Sequence, residues 1–226
     1  MSRCKHASPS ESGASSGGTG YSVAMIETFL RAPRGRAELA ADGVRVVGVL
    51  SIIVAFVGWS AVDVAVFALG LLGLVVPRFL GIRPALDAVF GISVLVAAWS
   101  ALLNLYEAIS YWDTVVHFAL NGLTAAVLYV LAIRAGIVPD PATSAVRLRS
   151  IVILTTVLGL AAGVIWELAE WVGNTYIDDT IFVDYTDTIG DLAAGGLGSL
   201  LVGFAGGYLS AESRFIGATP ASRAAA

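Results

Sequence analysis

Three short segments carry residues whose types and spacing could do chemistry. Asp113, His117 and Asn121 stand at i, i+4 and i+8 and share one face of a helix; Glu167 and Glu170, at i and i+3, share another; Asp187 and Asp191, at i and i+4, share a third. The connections beside these segments supply no Lys or Arg. Five carboxylates and one imidazole gathered at a low-dielectric boundary repel one another unless some hold protons or a cation sits among them. Oxygen-rich sites with one imidazole suit magnesium, manganese, calcium or zinc. Carboxylate and His side chains pointing inward from facing helices are a known way to build a metal centre in a bundle. Asp113, His117, Glu167, Glu170, Asp187 and Asp191 are therefore the candidate ligands of a divalent metal, or the members of a proton site, with Asn121, Glu107 and Asn104 in support.

A plainer reading stands beside this one. Asp113 and Asp187 could each cap a helix N-terminus, where the dipole favours an acid, and Glu167 and Glu170 could end a helix among lipid headgroups. His117 could be an interhelical hydrogen-bond partner. Capping does not account for His117, Asn121 and Asp191, which lie a turn or more further in, and ionisable residues within a membrane are functional candidates by default.

The elements that must position these residues are membrane spans. Of 226 residues, 57% are hydrophobic and 13% charged, and the mean hydropathy is +0.83; a soluble domain carries about a quarter charged residues. Apolar segments run over about 44–59, 64–80, 86–109, 112–133, 151–172 and 186–209. Each must be helical, because lipid offers no partner to a free backbone group. The expected fold is all-α, a polytopic transmembrane helical bundle over 41–210, preceded by a polar and amphipathic tail (1–40) and followed by a short tail (211–226). Residues 1–20 are Ser/Gly-rich and too polar to order themselves. Val23, Met25, Ile26, Phe29 and Leu30 form a short amphipathic stretch suited to the membrane surface. Gly58-Trp59-Ser60 and Asp63 predict a tight turn between the first two segments rather than one long helix. Cys4 is the lone cysteine, so no disulfide forms within the chain. No cleavable signal peptide is expected, the first span acting as the insertion signal.

Charge predicts the topology. All 13 Lys and Arg residues precede the first segment or stand at its start (Arg45), lie at the end of the second (Arg78) or between it and the third, lie between the fourth and fifth, or follow the sixth. The positive-inside rule then gives six spans with both termini cytoplasmic and the acidic residues at the outer face of a cell (inner or plasma) membrane. The net charge of −4 gives no sign of nucleic-acid binding; the expected partner is the lipid bilayer. Gly195, Ser199, Gly203 and Gly207 repeat every fourth residue and form a face for close helix packing, including a possible homo-oligomer contact. Trp59, Trp112, Trp166 and Trp171 fall near the outer ends, as in an aromatic belt. The acidic connection from Gly173 to Tyr185 is long enough for a lid, though a solvated turn is the simpler expectation.

The stretch from about Leu86 to Leu209 resembles the YjdF-like family of bacterial inner-membrane proteins, through Asp113-xxx-His117, Trp166-Glu167-xx-Glu170-Trp171 and Asp187-Thr-Ile-Gly-Asp191 with the glycines that follow. The shorter Asp-xxx-His layout is also similar to the VanZ-like membrane proteins, but Asp191 and Ala194 stand where that pattern has an Asn-Gly combination. Neither resemblance implies a reaction. Three functions fit the residues: a metal-dependent membrane-embedded hydrolase or transferase acting on lipid or envelope substrates, a cation or proton carrier, and a non-catalytic scaffold or accessory subunit. The carrier needs acids continuing to the inner face, and the segments are apolar and small below the cluster.

Overall fold

A computed structural model describes residues 16–211 and 215, and every element among them is a helix. In chain order these are α1 (Ser16–Leu30), α2 (Arg36–Gly58), α3 (Ala61–Leu80), α4 (Pro84–Leu102), α5 (Leu105–Ala108), α6 (Trp112–Arg134), α7 (Leu148–Tyr176), α8 (Tyr185–Phe204) and α9 (Gly206–Ala211). Residues 1–15 of the expected N-terminal tail, and nearly all of 211–226, lie outside the described residues, while α1 opens within the Ser/Gly-rich segment.

The helices form two trios. α2, α3 and α4 pack on one another, as do α6, α7 and α8, and the seam runs mainly between α4 and α6. At that seam Leu80, Ile82, Leu86 and Phe90 meet Ala126, Val127 and Val130, a buried apolar cluster. The outward faces stay apolar: Phe56 is 77% exposed, Ile165 68% and Phe204 59%. A soluble protein does not leave so continuous an apolar surface to water, and a bilayer covers it at no cost. Five helices (α2, α3, α4, α6 and α7) are long and apolar enough to cross a membrane. α8 has 20 residues but is diluted by Asp187, Asp191 and its glycines.

Local chemistry explains the boundaries. Ser60 divides α2 from α3 through a capping box: the Asp63 amide donates to Ser60 Oγ (3.2 Å) and the Ser60 amide to Asp63 Oδ2 (3.0 Å). The third segment, expected to run to residue 109, stops at Leu102. Asn104 (φ 53°) and Tyr111 (φ 62°) take the left-handed conformation on either side of the short α5 and redirect the chain into α6. The sixth segment likewise divides at Ala205 into α8 and α9.

The basic residues that indicate topology also build structure. Glu38, only 3% exposed, accepts from both terminal nitrogens of Arg31 (2.8 and 3.0 Å). Arg45 binds Asp87 (2.6 Å), Asp42 (3.0 Å) and the Leu74 carbonyl (2.9 Å). Arg78 donates to the Arg31 carbonyl (2.7 Å) and lies 3.5 Å from Asp42. This network ties the end of α1 to α2, α3 and α4. The amphipathic stretch is thus packed on α3, with Phe29 stacked on Phe79 at 4.3 Å, while Val23, Ile26 and Leu30 remain exposed.

Candidate metal centre

α8 lies between α6 and α7 because its small residues allow it. A Cβ at Gly198 would strike the Phe118 carbonyl, one at Gly195 the Asn121 amide, and one at Gly203 would meet Thr155 and, at 2.8 Å, the Val152 backbone. Ser199 is fully buried, its hydroxyl donating to the Gly195 carbonyl at 2.7 Å. The face carrying Gly195, Ser199 and Gly203 is therefore filled by α6 and α7 of the same chain. Gly207, the last residue of the repeat, has open space beside it.

That tight packing sets a common depth for the polar residues. At about 1.5 Å per residue, His117 lies about 8 Å inside the start of α6, Asp191 about 9 Å inside α8, and Glu167 about 14 Å before the end of α7. Asp113, His117 and Asp191 meet there, each offering a ligand atom, and these atoms all lie within 4.8 Å of one another. His117 Nε2 is 3.4 Å from Asp113 Oδ1. Ligands to one tetrahedral or octahedral cation, at metal–ligand distances of about 2.0–2.2 Å, stand roughly 3–3.5 Å apart, so a small contraction suffices. His117 and Asp191 are buried and Asp113 is half-buried. No Lys or Arg occurs in 84–133 or 150–213, the stretches that hold all of these residues.

The other expected members stand around this trio. Glu167 is 9% exposed, with Oε1 3.8 Å from His117 Nδ1; that oxygen is buried and has no hydrogen-bond partner among the described residues. Glu170 is half-buried and accepts from the Trp166 indole at 2.8 Å. Asp187 is half-buried, close enough to Asp113 and His117 to interact electrostatically. Neither Asp113 nor Asp187 caps its helix, since the N-cap of α6 is Tyr111 and that of α8 is Asp184, whose side chain accepts from the Thr186 amide. Asn121 acts as a floor, its side chain wedged against Gly163 and Gly195. Asn104 and Glu107 are exposed and show no contact with the trio; the turn that Asn104 makes bends the chain.

Two residues of the site were not singled out from the sequence. Thr188, one turn before Asp191, lies beside the Glu167 carboxylate. Tyr106 on α5 lies beside the cluster and donates its hydroxyl to the Ala97 carbonyl at 3.0 Å. Burial, with the carboxylates of Asp113, Glu170 and Asp191 nearby, pushes the Tyr106 phenol above its ordinary value. Thr188 could have been found from its place between two aspartates on α8. Tyr106 could not, since it reaches the site only through the break after Leu102.

The connection after α7 is a turn rather than a lid. Asn174 donates to the Ile181 carbonyl at 2.6 Å, and Ile181 folds back over Gly173, so 177–184 covers the end of its own helix. Asp178 accepts from both the amide and the hydroxyl of Thr180. Those bonds hold its carboxyl below the ordinary value.

A family model described as a predicted membrane protein, DUF2238, matches residues 43–212, a stretch that contains all three acidic motifs. No curated protein and no solved structure matches the chain.

Proposed function

We propose that this chain, which belongs to the DUF2238 family of predicted membrane proteins, binds a divalent cation at the outer ends of α6, α7 and α8, as the metal centre of a membrane-embedded hydrolase or transferase acting on lipid or envelope substrates. The YjdF-like resemblance is consistent with that family. The observation that carries the reading is the convergence of Asp113, His117 and Asp191 from two helices, with no basic side chain to offset the acids.

The topology that fits is six spans of a cell membrane with both termini in the cytoplasm. α8 supplies the sixth: its 20 residues give about 30 Å, the thickness of a hydrocarbon core, and its Asp191 and Ser199 are buried away from lipid. Every Lys and Arg then falls on the inner side, and the acidic cluster opens outward.

In this reading Asp113, His117 and Asp191 hold the cation, and zinc, manganese, magnesium and calcium all accept such a donor set. When bound, the cation supplies Lewis acidity to a carbonyl or phosphoryl oxygen. One carboxylate outside the convergent ligand atoms, Glu170 in this reading, would take a proton from the attacking group. An apolar groove between α6 and α8, lined by Val115, Phe118, Ala193 and Leu197, opens beside the site and suits an acyl chain.

Elemental analysis of purified full-length protein tests the reading. One equivalent of a divalent metal in the wild type, lost in a folded His117→Ala variant, supports it. A metal-free wild type overturns it and favours the scaffold. Cation flux into proteoliposomes that disappears with His117→Ala favours the carrier instead.

A further inference from the structure

Resting on the proposed cation site, we infer that Glu167 is not a ligand but a positioning residue, which holds His117 so that Nε2 is presented to the cation. Three observations carry this. The two ring nitrogens face different acids: Nε2 lies 3.4 Å from Asp113 Oδ1, and Nδ1 lies 3.8 Å from Glu167 Oε1. Asp113, His117 and Asp191 each offer a ligand atom within 4.8 Å of the others and Glu167 is not in that group; since Nε2 is the ring nitrogen that faces Asp113, a cation among the three falls on that side of the ring. Glu167 Oε1 is buried without a hydrogen-bond partner among the described residues.

The chemistry follows from the imidazole. A neutral ring has one N–H and one bare nitrogen, and a metal takes the bare one. Once Nε2 is committed, the proton must sit on Nδ1, where inside a low-dielectric bundle it needs an acceptor. Glu167 Oε1 is that acceptor. A movement of about 1 Å brings the pair to hydrogen-bond distance, and the orphaned oxygen gains the partner it lacks. Carboxylate-supported imidazole is a better metal ligand, and loss of such support costs about 10–100-fold in affinity. The expected ligand set thus contracts: Glu167, read from the sequence as a ligand, supports one instead.

The test titrates Co²⁺ into purified full-length protein and follows its visible absorption bands, which report the ligand set, alongside thermal stability. His117→Ala and Asp191→Asn should abolish binding. Glu167→Ala should weaken it about 10–100-fold with the bands unmoved, and Glu167→Gln, which keeps an acceptor oxygen, should recover most of that loss. If Glu167→Gln binds as poorly as Asp191→Asn, or shifts the bands, Glu167 is a ligand and the inference fails while the cation site stands. Glu167→Ala that loses thermal stability but keeps wild-type affinity also overturns the inference. A wild type that binds no Co²⁺, or that His117→Ala and Asp191→Asn leave unaffected, overturns the cation site itself.

Discussion

Gly198 of α8 packs directly beneath the Phe118 carbonyl of α6, with so little space that a Cβ at this position would overlap the oxygen. Phe118 adjoins His117, so the closest approach of the two helices lies beside the proposed ligands. Backbone cannot yield as a flexible side chain does. Gly198→Ala should therefore cost about 1–3 kcal/mol or more, and it should move His117 away from Asp191, weakening metal binding with stability. Gly190→Ala, which meets nothing within 4 Å, is the control: it should be neutral or gain up to about 1 kcal/mol of helix propensity. Thermal unfolding in detergent compares the two, and equal midpoints would refute the close packing.

The pair Arg45–Asp87 (2.6 Å) joins α2 to α4 with both side chains nearly buried. Removing Arg45 takes from Asp87 its bonded partner, so Arg45→Met should cost about 3 kcal/mol or more, whereas Asp87→Leu leaves Arg45 its pairing with Asp42 and should cost less. The double variant should cost less than the sum. A double-mutant cycle measures this, and strict additivity would mean the pair does not couple.

The proposed six-span topology puts 177–184 outside and the C-terminal tail inside. In a Cys4→Ser background, Thr180→Cys should react with an impermeant maleimide on intact cells. Ser144→Cys and Ser222→Cys should react only after permeabilisation. Outside labelling at Ser222→Cys with Ser144→Cys protected would show that α8 does not cross.

The turn after α7 should respond to acid. Because the Thr180 bonds lower the Asp178 pKa, their support is complete above the ordinary carboxyl range and is lost as pH falls through the lowered value. Thr180→Val should return Asp178 toward its ordinary 3.8, a shift read by carboxyl-carbon NMR; an unchanged titration would mean the hydroxyl bond contributes nothing.

Much of this molecule was legible as a string. Hydropathy located all the long helices because the bilayer leaves no other structure for such segments, and Ser60 with Asp63 marked the break between α2 and α3, which the capping box confirms. The spacing of Asp113 with His117 and of Asp187 with Asp191 placed these residues on shared helix faces, a matter of 3.6 residues per turn alone. Sequence also marked Gly195, Ser199 and Gly203 as a packing face, but not what it packs on.

Only the tertiary structure decided the rest. Which side chains of a polar stripe reach each other depends on how helices far apart in sequence rotate and approach, and one-dimensional periodicity carries no such information. The placement of α8 between α6 and α7 brought Asp113, His117 and Asp191 within 4.8 Å of one another and set Glu167 against the other nitrogen of the ring. The same cause hid the inner network: Glu38, Asp42 and Asp87 look like ordinary charges near helix ends until folding brings Arg31, Arg45 and Arg78 to them. Periodicity assigns a residue to a face, and packing alone assigns that face a partner.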